Sequence, residues 1–305
     1  MVTTQIDTTV RIAGKTWTNP VGVASGTFGF GEEYASLCDL EQLGAIFTKA
    51  VTPEKRDGNT PPRLANVDGG MLNAIGLANP GLESFLQLKM PKIESLPCPA
   101  IINVAGASVD DYIKVAETLN HHEAIWGIEV NVSCPNVDHG GMAFGTNPKV
   151  LGSLVKQLRK AYDGPLIVKL SPNVTDITET ARAAEAEGAD ALSCINTVTG
   201  MKIDVNTRRP LISRGTAGFS GSAIRPIGVA AVWRVSKAVS IPIIGLGGIG
   251  CTNDALEYLL AGASAIQVGT ALFSNPKIPN DITKGIEEYM QENGFQSLSD
   301  FHGHF

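Results

Sequence analysis

The feature that most limits what this chain can become is a pattern that recurs along it. A short run rich in Val, Ile or Ala leads into a polar or glycine-rich turn, and then into a stretch with helical apolar spacing. The strand-like runs fall at residues 21–25, 45–49, 100–105, 127–131, 166–170, 191–195, 241–245 and 265–269. Between them, residues 148–162, 225–239 and 252–260 carry helical spacing. Ser108 with Asp111 reads as a capping box opening another helix toward Leu119, and Asp176 with Glu179 opens one that Gly188 closes. Strands alternating with helices imply a parallel sheet, and eight strands are the number that closes a (β/α)8 TIM barrel. An open doubly wound sheet shares this local grammar but gathers its polar residues at one switch point. Here they stand at the ends of many strands, so the barrel is expected.

Residues 9–17 add an N-terminal hairpin turning near Gly14, and residues 277–293 a last outer helix. No linker or low-complexity stretch interrupts residues 1–305, which therefore read as a single domain. Three connections are long: 50–80, 133–147 and 196–222. Each follows a strand, so in a barrel each lies at the C-terminal face, where catalytic loops gather. A net charge of −6 with no basic run argues against a nucleic-acid partner. The polar N-terminus is no signal peptide, and no apolar run has the length of a membrane span. The five cysteines lack C-x-x-C spacing, so no disulfide framework and no metal site is expected, and the chain reads as cytoplasmic. Cys38, Cys98, Cys194 and Cys251 read as packing residues.

The chemistry concentrates at strand ends. The run Gly-Ile-Glu-Val-Asn-Val-Ser-Cys-Pro-Asn, residues 127–136, is an apolar strand stopped by Pro135. It delivers Asn131 to the strand end and Ser133, Cys134 and Asn136 to the loop. Gly245-Leu-Gly-Gly-Ile-Gly250 and Gly269-Thr270 follow strands 7 and 8, the usual phosphate cradle of a barrel. No acidic ribose partner stands about twenty residues on, so a mononucleotide phosphate fits better than NAD. Lys49 and Lys169 end strands 2 and 5, and Asn103, Asn131 and Asn196 end strands 3, 4 and 6. Two lysines and a phosphate cradle suit flavin mononucleotide (FMN), whose reduced ring is anionic. Three amides can read the imide edge of a flavin or a pyrimidine. A barrel using either lysine as a Schiff-base amine, as in aldolases, shares the lysine signal.

These stretches resemble the dihydroorotate dehydrogenase family, and its class 1 catalytic chain in particular. The resemblance is carried by Ala24-Ser-Gly-Thr, Thr48-Lys-Ala-Val-Thr, Asn73-Ala-Ile-Gly-Leu, Asn131-Val-Ser-Cys-Pro-Asn, Val168-Lys-Leu, Ile195-Asn-Thr, Gly218-Phe-Ser-Gly and Gly247-Gly-Ile. Cys134 stands where class 2 has a serine. The run Gly200-Met-Lys-Ile-Asp-Val-Asn-Thr-Arg-Arg-Pro is similar to subclass 1B rather than the fumarate-using subclass 1A. The resemblance implies oxidation of (S)-dihydroorotate to orotate in pyrimidine biosynthesis, with Cys134 taking the proton. It implies that Ser25, Lys49, Ala50, Asn103, Asn131, Lys169, Ile195, Gly221, Gly247, Gly248, Gly269 and Thr270 line FMN. Lys49, Asn73, Ala74, Ile75, Gly76, Leu77, Asn131, Asn196 and Thr197 would hold dihydroorotate. It further implies a partner subunit carrying FAD and a [2Fe-2S] cluster that passes electrons to NAD, in a heterotetramer built on a homodimer.

Overall fold

The computed structural model describes residues 6–120, 122–132 and 144–301. Eight parallel strands close in chain order into a barrel: β1 (Val21–Val23), β2 (Ala45–Phe47), β3 (Ala100–Val104), β4 (Gly127–Asn131), β5 (Leu166–Lys169), β6 (Ala191–Cys194), β7 (Ile243–Leu246) and β8 (Ala265–Val268). Every residue in them is buried except Asn131, because inward side chains fill the barrel and outward ones meet the helices. All eight expected strands are present, with ends displaced by up to two residues. β7 begins at Ile243 because Pro242 has no N–H for the ladder; its carbonyl still accepts from Leu192 N–H at 3.0 Å.

The helices are α1 (Leu82–Leu88), α2 (Met90–Ile93), α3 (Val109–Leu119), α4 (Pro148–Ala161), α5 (Ile177–Ala186), α6 (Arg225–Ser236), α7 (Thr252–Leu260) and α8 (Ile278–Asn293). The periodicity explains their seating: α4 buries Leu151, Leu154, Val155 and Leu158, the i, i+3, i+4, i+7 stripe. The Ser108–Asp111 capping box is formed in both directions. The Asp176 carboxylate caps α5 by accepting from both the N–H and the hydroxyl of Thr178, with no capping box to Glu179.

The two ends of the barrel are closed differently. At the N-terminal end, the hairpin Val10–Ile12 and Lys15–Trp17 buries Trp17, whose ring meets Phe47 at 6.0 Å and Trp126 at 5.4 Å. At the C-terminal end, two of the long connections pair with each other. Val198–Gly200, Ala217–Ser220, Gly70–Asn73 and Leu64–Val67 form an antiparallel sheet in that order, and Ile203–Asp204 pairs with Arg209–Pro210 beyond it. The sequence reading has only long loops here. Burial pushes the Cys38 thiol up to about 11 and Cys98 to about 12, in keeping with packing residues. Cys251 departs from that expectation: it is exposed, at the N-cap of α7.

Candidate active site

The strand register brings the polar residues of β3 to β6 level with one another. Asn103 stands opposite Glu129, and Lys169 is the partner of both Asn131 and Ser193. Lys169 is 4 % exposed and Glu129 0 %. A buried charge needs partners, and these have them. Lys169 Nζ lies 3.1 Å from Ser25 Oγ and 3.6 Å from Glu129 Oε1. Glu129 also accepts from Asn103 Nδ2 at 2.7 Å, Ser193 Oγ at 2.7 Å and Gln267 Nε2 at 3.2 Å. The Oδ1 of Asn103 is buried without a protein partner among the described residues, an acceptor left for a ligand donor.

The glycine turns continue this ring of contacts. Gly247 and Gly248 have φ of 127° and 73°, conformations in which glycine alone is unstrained. A Cβ on Gly248 would lie 2.6 Å from the Gly221 carbonyl, and one on Gly221 2.5 Å from Gly70 Cα. Ser220, beside Gly221, accepts from Thr270 Oγ1 at 2.8 Å. A Cβ on Gly269 would lie 3.5 Å from that of Ala24, next to Ser25, and one on Gly247 3.6 Å from Ile195. Among the described residues no hydrogen bond takes the N–H groups of Gly248, Gly269 or Thr270. The first glycine of the motif does something else: Gly245 makes room for the Tyr258 ring, and a Cβ there would lie 2.5 Å from Cδ1. Tyr258 in turn donates to the Gly247 carbonyl at 2.7 Å.

A second group forms under the antiparallel sheet. Asn196 Nδ2 donates to Asn131 Oδ1 at 3.2 Å, and its own Oδ1 accepts from Thr197 N–H at 2.8 Å. Gly218 sits between Thr197 and Asn73: a Cβ on it would lie 2.3 Å from Thr197 Oγ1 and 3.4 Å from Asn73 Nδ2. Asn73 Nδ2 donates to the Gly218 carbonyl at 3.3 Å. The carbonyls of Ala74, Ile75 and Leu77 are held by Asn59 and Asn79. Gly76 and Leu77 have φ of 75° and 57°. The N–H groups of Ile75, Gly76 and Leu77 have no acceptor among the described residues, the setting of an anion-binding nest.

Lys49 lies two residues past β2, with Ala50 buried beside it. Burial pulls its ammonium below the ordinary lysine range; Arg63 adds repulsion, Glu33 opposes it, and Lys89 adds more. The Arg63 carbonyl accepts from Ala74 N–H at 2.9 Å, which ties this cationic corner to the nest. Cys134 lies outside the described residues.

Sequence reasoning missed Glu129, Ser193 and Gln267, and also Asn173, which holds Thr197 O at 3.1 Å and Thr199 N–H at 2.8 Å. A signal exists for the first three. A charged or polar residue inside a barrel strand otherwise made of apolar residues needs a partner. Lys169 on the neighbouring strand supplies one for Glu129, whose carboxylate in turn accepts from Ser193 and Gln267.

A family model described as dihydroorotate dehydrogenase matches residues 7–290. A Bacteroides fragilis protein named dihydroorotate dehydrogenase B (NAD(+)), catalytic subunit, is 50% identical over 297 residues, covering 97% of this chain and 98% of its own. A Geobacter metallireducens protein of the same name is 49% identical over 297 residues, 97% of each chain. Among solved structures, DHODH from Eimeria tenella in complex with ferulenol matches with a TM-score of 0.81 over 99% of this chain and 89% of that one. At 21% identity that match speaks to the fold.

Proposed function

The chain belongs to the dihydroorotate dehydrogenase family, as a catalytic chain of its NAD-linked subclass 1B, and we propose that the ring of residues just described holds FMN and dihydroorotate. It is an oxidoreductase of pyrimidine biosynthesis and works with a flavin and a partner subunit. The observation that carries the cofactor reading is the contact path from Gly248 through Gly221, Ser220 and Thr270 to Ser25 and Lys169. It joins N–H groups with no acceptor among the described residues, suited to a phosphate, to a buried cation and an amide oxygen without a partner among those residues, suited to a flat polar ring. When bound, the flavin supplies a hydride acceptor.

The protein's own groups do the rest. The nest at Ile75 to Leu77 and the Lys49 ammonium hold the substrate carboxylate, which needs donors and positive charge. Asn73, Asn131, Asn196 and Thr197 present the amides and hydroxyl that orient its ring. Cys134, as thiolate, takes the C5 proton while the C6 hydride leaves. Lys49, Ala50, Asn103, Asn131 and Ile195 complete the wall against the flavin. The two electrons leave through a partner carrying FAD and a [2Fe-2S] cluster, in a heterotetramer built on a homodimer in the cytoplasm. No helix among the described residues is long and apolar enough to cross a membrane. Residues 1–305 act as one domain.

Acid release of the flavin from purified protein tests the cofactor: one FMN per chain is expected, and FAD in its place would overturn the reading. The isolated chain should pass electrons from dihydroorotate to artificial dyes but scarcely to NAD, until the partner is added. Rapid NAD reduction by the chain alone would reveal a nicotinamide site of its own. Rapid fumarate reduction with no gain from any partner would place it with subclass 1A.

A further inference from the structure

Barrels of this kind fill their interior with branched apolar side chains. Here one interior layer is polar: Asn103, Glu129, Ser193 and Gln267 are all 0 % exposed. Their hydrogen bonds converge on one carboxylate. Oε1 of Glu129 accepts from Asn103 and faces Lys169 Nζ at 3.6 Å, while Oε2 accepts from Ser193 and Gln267. A buried ion pair is weak evidence for stability, since apolar residues of the same volume usually serve as well or better. The layer therefore calls for another reason. Lys169 supplies one: it is the only residue of the group that reaches the strand end, where its second contact is Ser25.

We propose that Glu129 is a positioning residue for the flavin, holding Lys169 Nζ at the barrel mouth and offsetting its charge, so that it sets the balance between oxidised and reduced FMN. The proposal rests on the FMN site above. A bare ammonium beside the ring would favour the anionic reduced form strongly. In a low-dielectric interior, a carboxylate 3.6 Å away cancels much of that field. The three neutral donors spread the carboxylate's charge, so the cancellation is partial, and some of the lysine's pull remains.

The test is redox titration of the FMN-loaded protein against a reference dye. Glu129→Gln keeps shape and removes the charge, at the cost of turning one of the two acceptor oxygens into an N–H donor. Its preference for reduced over oxidised FMN should rise at least tenfold, an upward shift of about 30 mV for a two-electron couple. Glu129→Asp keeps the charge and should recover most of that shift. A Gln variant within threefold of the wild type would overturn the proposal. So would an Asp variant shifted as far as the Gln one, since shape and not charge would then be responsible. If Glu129→Gln gives no folded protein, Gln267→Met decides. Removing one neutral donor leaves the carboxylate leaning harder on Lys169, so the preference should move threefold or more the opposite way. No shift, or one in the Gln direction, would overturn the idea. A wild-type chain that binds no FMN would sink the site assignment instead, a result distinguishable from all of these.

Discussion

The two ends of this barrel are equally dry and differ in everything else. At the N-terminal end, Trp17 is 0 % exposed and packs edge-on against Phe47 and Trp126. Toward the C-terminal end, beneath Lys169, Glu129 is also 0 % exposed, but its neighbours are a lysine, two amides and a hydroxyl. The first arrangement is held by apolar burial and close packing, although Trp17 Nε1 has no hydrogen-bond partner among the described residues. The second leaves Asn103 Oδ1, the nest at Ile75 to Leu77 and the glycine-turn N–H groups for a ligand to complete. The same eight strands thus carry stability at one end and chemistry at the other, and substitutions should separate the two.

The largest separation is expected at Cys134. Replacing it by Ala should leave unfolding unchanged and preserve orotate binding, since the asparagines and Lys49 remain. Flavin reduction by dihydroorotate should fall ~10²–10⁴-fold, the usual worth of a general base. In the wild type that rate should climb with pH toward a thiol's ordinary value of about 8.5, because only the thiolate accepts a proton. A loss below tenfold in stopped-flow reduction would mean that another group is the base.

The mirror experiment is at the other end. Trp17→Ala removes a fully buried ring and should cost about 3–5 kcal/mol in a urea titration. Flavin reduction by the molecules that remain folded should stay within twofold. A parallel fall in both quantities would show that the two ends are coupled.

What the sequence could reveal follows the same division. The eight strands were legible because a strand buried on both faces is a continuous apolar run. Lys169 and Asn131, which end their strands, and Lys49 and Asn196, two residues past theirs, were legible because they break that run at its edge, whereas Asn103 sits one residue inside β3. Glu129, Ser193 and Gln267 sit inside it, where their neighbours conceal them, and only the question of how a buried carboxylate is satisfied exposes them. The sheet over the mouth was illegible for a different reason. Its strands are three or four residues long, too short for alternation, and Asn73 pairs with Gly218 across 145 positions. Such pairing is decided by tertiary contact, not by local pattern.

A smaller effect is expected at Gly248. Its φ of 73° and the Gly221 carbonyl 2.6 Å from an added Cβ mean that Ala must push one glycine turn against the other. Strain of this kind costs about 1–3 kcal/mol. It should appear in FMN affinity, as a rise in Kd of roughly fivefold to a hundredfold, with the barrel still folded. Unchanged affinity in a calorimetric titration of the apoprotein would remove Gly248 from the phosphate cradle.

The finest test lies at Tyr258, where packing and function share one side chain. Its ring is fully buried and is accommodated by Gly245, where an added Cβ would lie 2.5 Å from Cδ1, while one on Gly228 would lie 1.9 Å from the hydroxyl oxygen. In that respect it resembles Trp17. Its hydroxyl, however, holds the Gly247 carbonyl at 2.7 Å and so fixes the turn that aims the Gly248 N–H. Tyr258→Phe keeps the ring and deletes one hydrogen bond, worth about 0.5–1.5 kcal/mol. If the bond serves the site, the FMN Kd should rise by about 2–10-fold, while the apoprotein's unfolding midpoint barely moves. The loss should be the same at pH 6 and pH 9. Burial pushes the Tyr258 hydroxyl well above its usual range, so the group remains a protonated donor throughout that window. A midpoint that falls with FMN affinity intact would assign the hydroxyl to the packing of the barrel. A loss that grows between pH 6 and pH 9 would require a titrating group near Gly247 other than this tyrosine.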